Sequence, residues 1–251
     1  MRFASRPIVI SAALVPVMAL GLTACGGDDD SKAEGKGKGR SKGSASAPAS
    51  SGGKAAAALT KAQLTAAALT AQDLPAGYKV VKPKGADDLF GTTATATPSR
   101  CQPLQDMGAG KDSVRPTAVV DQNYPQSAKP SALLFSRIAA YSGGNAQKAM
   151  ADLKDAAESC PSYTSKDTSD GTVSTVKVTT EKAPALGDES VLLNMTTTSD
   201  GETFTVRTIH TRVGSTLSMF LTFDIRSTNR AELPRKILAK QADKLKAAAG
   251  R

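Results

Sequence analysis

Tryptophan is absent from this 251-residue chain, and 6 Phe and 4 Tyr are its only aromatic side chains, 4% in all. A core must therefore be built from Val, Leu, Ile, Met and Ala, and aromatic platforms for sugars or bases are scarce. Histidine is nearly absent too. The one imidazole, His210, lies in a stretch that reads as a strand, and no Gly-x-Ser-x-Gly elbow occurs anywhere, so a serine triad has no recognisable assembly. A phosphate loop and a dinucleotide fingerprint are missing as well. A zinc site fares no better, with one His and, Cys25 set aside, two Cys expected to be oxidised, and the Asp28 to Asp30 run lacks the spaced oxygen ligands and turn glycine of a calcium loop. No catalytic residue, metal or cofactor is expected, and the chain reads as a non-enzyme.

Long apolar runs are confined to one place. Ile8 to Leu22 is uncharged and largely apolar, follows Arg2 and Arg6, and ends at Leu22-Thr23-Ala24-Cys25. It is shorter than the roughly 20 residues of a membrane-spanning helix and holds Pro16 at its centre, so it reads as a secretory signal. Its ending resembles the lipobox of bacterial lipoproteins, in which the cysteine is lipidated; Cys25 is then the anchor and residues 1–25 the signal peptide. The alternative is an ordinary signal cut near Ala24. The lipobox reading places the protein on the outer face of the cytoplasmic membrane, held through lipid on Cys25.

Residues 26–54 are rich in Gly, Ser, Lys and Asp and have no apolar periodicity, so they read as a disordered tether. A coil of that length reaches about 30 Å and stretches to about 100 Å. The net charge of +9 divides as +2 in the signal, +2 in the tether and +5 in residues 55–251. It forms no basic stripe interleaved with aromatics, which argues against nucleic acid. An envelope lipid, a wall polymer or a membrane protein is the better class of partner, with the domain itself a monomer.

With Cys25 assigned to lipid, Cys101 and Cys160 remain as an even pair in an oxidising compartment and are expected to form a disulfide, the alternative being two buried thiols. Residues 55–251 are long enough for a single domain. Thr60 can cap a first helix carrying Leu64, Ala67 and Ala68, and Asp73 to Gly77 breaks it. Strands are expected at Tyr78 to Lys82, Thr117 to Gln122 and Ala132 to Tyr141. Gly85 to Arg100 reads as a long loop, and Gln102 to Met107 as a helical turn.

Asn145 to Cys160 is the clearest helix, with Ala146, Ala149, Met150, Leu153, Ala156 and Cys160 stepping by threes and fours. From Tyr163 the period changes to two. Val173 to Thr180, Ser190 to Thr197, Phe204 to Val213 and Thr216 to Arg226 follow as strands, and they argue an antiparallel sheet with one covered face. Asn229 and Glu232 look like a capping pair for a closing helix over 230–248. The fold class is α+β: a twisted antiparallel sheet of about six or seven strands with two main helices packed on it.

Two further features carry weak chemistry. Asp188 and Glu189 are the most conspicuous acidic pair, but neighbours on a strand point oppositely and do not face one bond. Asn194-Met195-Thr196 matches a glycosylation sequon.

Leu74-Pro75-Ala76-Gly77-Tyr78 after a short helix, a Cys before a small helix, a helix ending in Cys160, the Gly187-Asp188-Glu189 turn and the closing meander together resemble actinobacterial lipoproteins. More loosely, from Leu59 to Ala249, they resemble the extracellular sensor domains of PknH-type receptor kinases. Those domains carry two disulfides and a Trp near the second Cys, where this chain has one possible pair and no Trp. The resemblance implies a ligand-sensing or binding accessory module with no catalytic residues to transfer, its ligand-binding residues unknown. The other class is a lipid carrier of the LppX and LprG type, whose half-barrel encloses an acyl cavity.

Overall fold

A computed structural model describes residues 57–84, 94–106, 114–226 and 231–250. Cys25, Asp28 to Asp30 and the whole of 1–54 lie outside these, as does Asn229. Ser51–Arg251 is one compact unit.

Its described residues form eight strands, more than the six or seven expected, in a single antiparallel sheet. The strands are β1 (Ala94–Thr97), β2 (Ala118–Asn123), β3 (Ala132–Ala140), β4 (Ser162–Asp167), β5 (Val173–Glu181), β6 (Glu189–Ser199), β7 (Glu202–Val213) and β8 (Thr216–Asp224). Their spatial order is β1-β4-β5-β6-β7-β8-β3-β2. β1 lies inside the stretch read as a loop. Tyr78 to Lys82, read as a strand, makes only isolated bridges, Tyr78 to Gln126 and Val81 to Asn123. Tight two-residue turns set the register of the meander: Asp200 and Gly201, with φ of 49° and 81°, join β6 to β7.

Four α-helices among the described residues accompany the sheet: α1 (Lys61–Ala67), α2 (Gln102–Asp106), α3 (Asn145–Ser159) and α4 (Arg235–Ala248). Thr60 and Gln63 close a reciprocal capping box at the start of α1. α4 begins later than the Asn229–Glu232 pair suggests, with Pro234 at its N-cap and no side-chain cap, because the fixed φ of proline suits the entry to a helix.

The sheet is covered on both faces rather than one. Met150, Leu153 and Ala156 of α3 and Leu104 of α2 pack with Leu193, Met195 and Val178. On the opposite face Leu64 of α1 packs with Ile138 and Ala140, and Ile237 and Leu238 of α4 with Ile209 and Phe220. A second layer is possible because the residues of β8 that point away from α3, Thr216, Ser218, Phe220 and Thr222, are small or apolar and all buried. Cys160, the C-cap of α3, is bonded to Cys101 at the start of α2, with Cα atoms 5.9 Å apart. That bond ties α2 and the neighbouring β1 to the main layer.

Both outer edges of the sheet are partly occupied. On β1, the Gln102 side chain accepts from Ala96 N–H at 2.8 Å and donates to Ala94 C=O at 3.0 Å, filling the two outward backbone groups as a neighbouring strand would. On β2, Lys61 donates to Val119 C=O and the Val81 bridge pairs with Asn123. Exposed edges left unpaired recruit other strands, and these are not left so.

Candidate functional site

Side chains that alternate along a strand share a face with their cross-strand partners. On the α3 side one such row runs Asp121, Arg137, Met219, His210 and Val191 across β2, β3, β8, β7 and β6. The next row runs Phe135, Leu221, Thr208 and Leu193. Helix α3 covers only part of this face. Phe135, Val206, Met219 and Leu221, flanked by Leu133 and Phe223, form an apolar cluster drawn from β3, β7 and β8 alone, with no helix of the described residues contributing to it.

Polar groups are set into that apolar ground. Arg137 is held by Asp121 through two bonds of 2.8 and 2.9 Å, which explains why a charged residue interrupts the apolar alternation of β3. Burial raises the Tyr141 hydroxyl to about 12, with Arg137 opposing the shift. Thr208 is fully buried, and its hydroxyl has no hydrogen-bond partner. An orphaned buried hydroxyl costs about 1–3 kcal/mol.

A lone imidazole on a strand ordinarily faces solvent or bonds a neighbour, and His210 does neither. It is 5% exposed and makes no side-chain hydrogen bond among the described residues, because β7 is an interior strand and its partners opposite are Met219 and Val191. Burial pushes the imidazole down to about 4, so it is neutral at pH 7. The unfolded chain takes up this proton near 6.5 and the folded one does not. The resulting stability is present above about pH 6.5 and is lost as pH falls toward 4, by about 3 kcal/mol at pH 4. Urea midpoints of wild type and His210→Gln measured from pH 7 to 4 should show that extra slope in the wild type only; parallel curves would refute the neutral buried state.

The acidic pair sits at the expected turn before β6, yet its side chains do not point oppositely. Asp188 and Glu189 converge on one group, Arg212: Nη1 donates to Asp188 at 2.9 Å and Nε to Glu189. They converge because Asp188 lies in the turn before β6, where Gly187 adopts a φ of 62°, and not in the strand itself. Lys154 of α3 also binds Glu189. Burial alone would raise the Glu189 carboxyl, but its bonds to Lys154 and Arg212 hold it below its ordinary value. Asn194 is 3% exposed and donates to Glu181 at 2.9 Å, so in the folded domain it is no glycosylation acceptor.

Two cavities open on the described surface. One, of about 390 Å³, lies on the α4 side between Tyr78, Leu134, Thr222 and Pro234, with Lys129 and Glu232 at its rim. The other, of about 290 Å³, is on the α3 side, over β4 to β7. Its floor is Tyr163, Val176, Met195, Val206 and Phe204, and through Val206 it joins the apolar cluster. Nothing local in the sequence marks this site, since its residues are gathered from four strands. Among the described residues no group of His, Cys, Asp and Glu is placed to hold a metal, and no helix is long and apolar enough to cross a membrane.

No protein-family model matches the chain, and no curated protein is similar to it in sequence. Solved structures do match. The extracellular domain of PknH from Mycobacterium tuberculosis aligns over 76% of this chain and 99% of its own length, at 12% identity and a TM-score of 0.55. The Rv0999 ortholog from Mycobacterium smegmatis aligns over 75% of this chain and 93% of its own, at 11% identity and a TM-score of 0.41, too distant to bear on the fold. At such identities likeness speaks for architecture alone, and the conclusion is architectural: the domain is built like the PknH extracellular domain.

Proposed function

We propose that the protein is a lipid-anchored binding module of the cell envelope. Cys25 carries the lipid on the outer face of the cytoplasmic membrane, residues 26–54 tether the domain, and the α3 side of the sheet receives a ligand with an apolar body and a hydrogen-bonding group. The observation that carries this is Thr208: a fully buried hydroxyl without a partner, in register between Leu221 and Leu193 and beside an apolar cluster that no described helix completes. The protein acts by binding and not by turnover, since Asp188 and Glu189 are committed to Arg212 and His210 sits between Met219 and Val191 without a partner acid. The second reading, a lipid carrier of the LppX and LprG type, is favoured by the same apolar cluster and differs in what travels with the protein.

The test has two parts. Cys25→Ala should release the protein from membranes or leave an uncleaved precursor, and unchanged fractionation would sink the anchor. Native mass spectrometry of the full chain, with organic extraction, should reveal a bound mass. An acyl or glycolipid mass selects the carrier reading, whereas a mass without an acyl chain selects a sensing module. A Thr208→Val variant that retains the ligand undiminished would remove Thr208 from the site.

A further inference from the structure

The strands that line the 290 Å³ cavity treat their two faces differently. Away from the cavity, hydroxyls of β6 and β7 satisfy one another across the strands, Thr196 with Thr205 at 3.1 Å and Thr198 with Thr203 at 3.0 Å. Toward the cavity they do not. The hydroxyls of Ser165, Thr172, Ser174 and Thr197 line it without a hydrogen-bond partner among the described residues. Ser165 is 9% exposed and lines the cavity, while Ser174 and Thr197 are half-buried and Thr172 is exposed. Four such hydroxyls around one hollow form a donor and acceptor set with no protein partner.

Charge narrows the ligand. Among the described residues that line this cavity there is no Lys or Arg. Its only charged groups are Asp167 and Asp170, each fixed by the turn between β4 and β5: Asp167 accepts from Ser169 N–H at 2.7 Å and Asp170 from Thr172 N–H at 2.8 Å. That lining disfavours phosphates and carboxylates. The floor supplies the last constraint. Phe204, 49% exposed, and the buried Tyr163 bring two of the chain's ten aromatic rings into one hollow. An aromatic face beside rigid carboxylates and unpaired hydroxyls suits a ring with C–H groups on one side and hydroxyls around its edge.

We propose that this cavity is a saccharide site, taking an uncharged sugar unit stacked on Phe204, with its hydroxyls bonded to Ser165, Ser174 and the two turn carboxylates. The inference shares its sheet face with the proposed function and needs none of that reading's apolar ligand. The full chain in a polyoxyethylene detergent is titrated with maltose, cellobiose and chitobiose, and read by saturation-transfer NMR. At least one of these sugars should receive saturation at its ring C–H groups. Its affinity should fall about fivefold in Phe204→Ala, the range an aromatic contact supplies. Ser165→Ala should weaken it as well, and Thr205→Ala, on the opposite face, should leave it unchanged. Silence from all these sugars overturns the proposal, as does undiminished binding in Phe204→Ala. A co-purified acyl mass with silent sugars would overturn this site and leave the module standing. Sugar binding by a chain carrying no other ligand would do the reverse.

Discussion

Replacing Cys101 and Cys160 together with Ala is expected to lower the stability of the domain by about 4 kcal/mol. The bond closes a loop with a sequence separation of 59, and in the chain-entropy picture releasing a loop of that size enlarges the unfolded ensemble by about this much. The folded state loses more than a constraint. α2 has five residues and β1 four, too few to hold their places alone, and both reach the main layer beside Cys101. Urea unfolding of the double variant, and of wild type with and without a strong reductant, measures the effect. Equal midpoints for oxidised and reduced wild type would remove the bridge as a stabilising element.

Gly187→Ala should cost about 2 to 5 kcal/mol, from the strain of a positive φ and from steric overlap. A Cβ at this position would lie 2.2 Å from the Arg212 carbonyl oxygen and 2.9 Å from Thr211 Cγ2. That carbonyl accepts from Asp188 N–H at 2.8 Å, so the whole joint of Asp188, Glu189 and Arg212 must shift. Gly201→Ala is the control. It has a positive φ of 81° and open space around its Cβ, and should cost about 1 to 3 kcal/mol. Thermal or urea unfolding of the two variants separates crowding from strain, and equal losses would mean that the Gly187 turn relaxes freely.

What local pattern reveals is unequal along the chain. The α3 stripe was legible because Ala146, Met150, Leu153 and Ala156 repeat at the helical period and all become buried. β8 was legible because Leu217, Met219 and Leu221 alternate. β1 was not: Ala-Thr-Ala-Thr has no apolar contrast, and it is a strand only because β4 lies on one side and the Gln102 amide on the other. Tyr78 to Lys82 has the opposite character, a strand-like composition at the margin of the sheet that touches β2 at scattered points. The site residues were hidden for a related reason. Ser165 and Phe204 are far apart in sequence, and only the order β4-β5-β6-β7 brings them to one hollow. His210 stood out as the lone imidazole, but its neutrality depends on partners fixed by register.

For the anchored module proposed above, the side chains seated on the two outer strands bear on life at a crowded surface. Proteins held on one leaflet meet one another in two dimensions, at local concentrations far above those of free solution. An open strand there would zip onto its neighbour's, and arrays would grow sideways along the membrane. The Gln102 amide imitates a passing peptide on one flank, while the Lys61 ammonium and the Val81 bridge block the other. Recognition is thereby pushed onto the broad surfaces of the sheet, where shape and chemistry discriminate, and away from backbone pairing, which accepts almost any sequence.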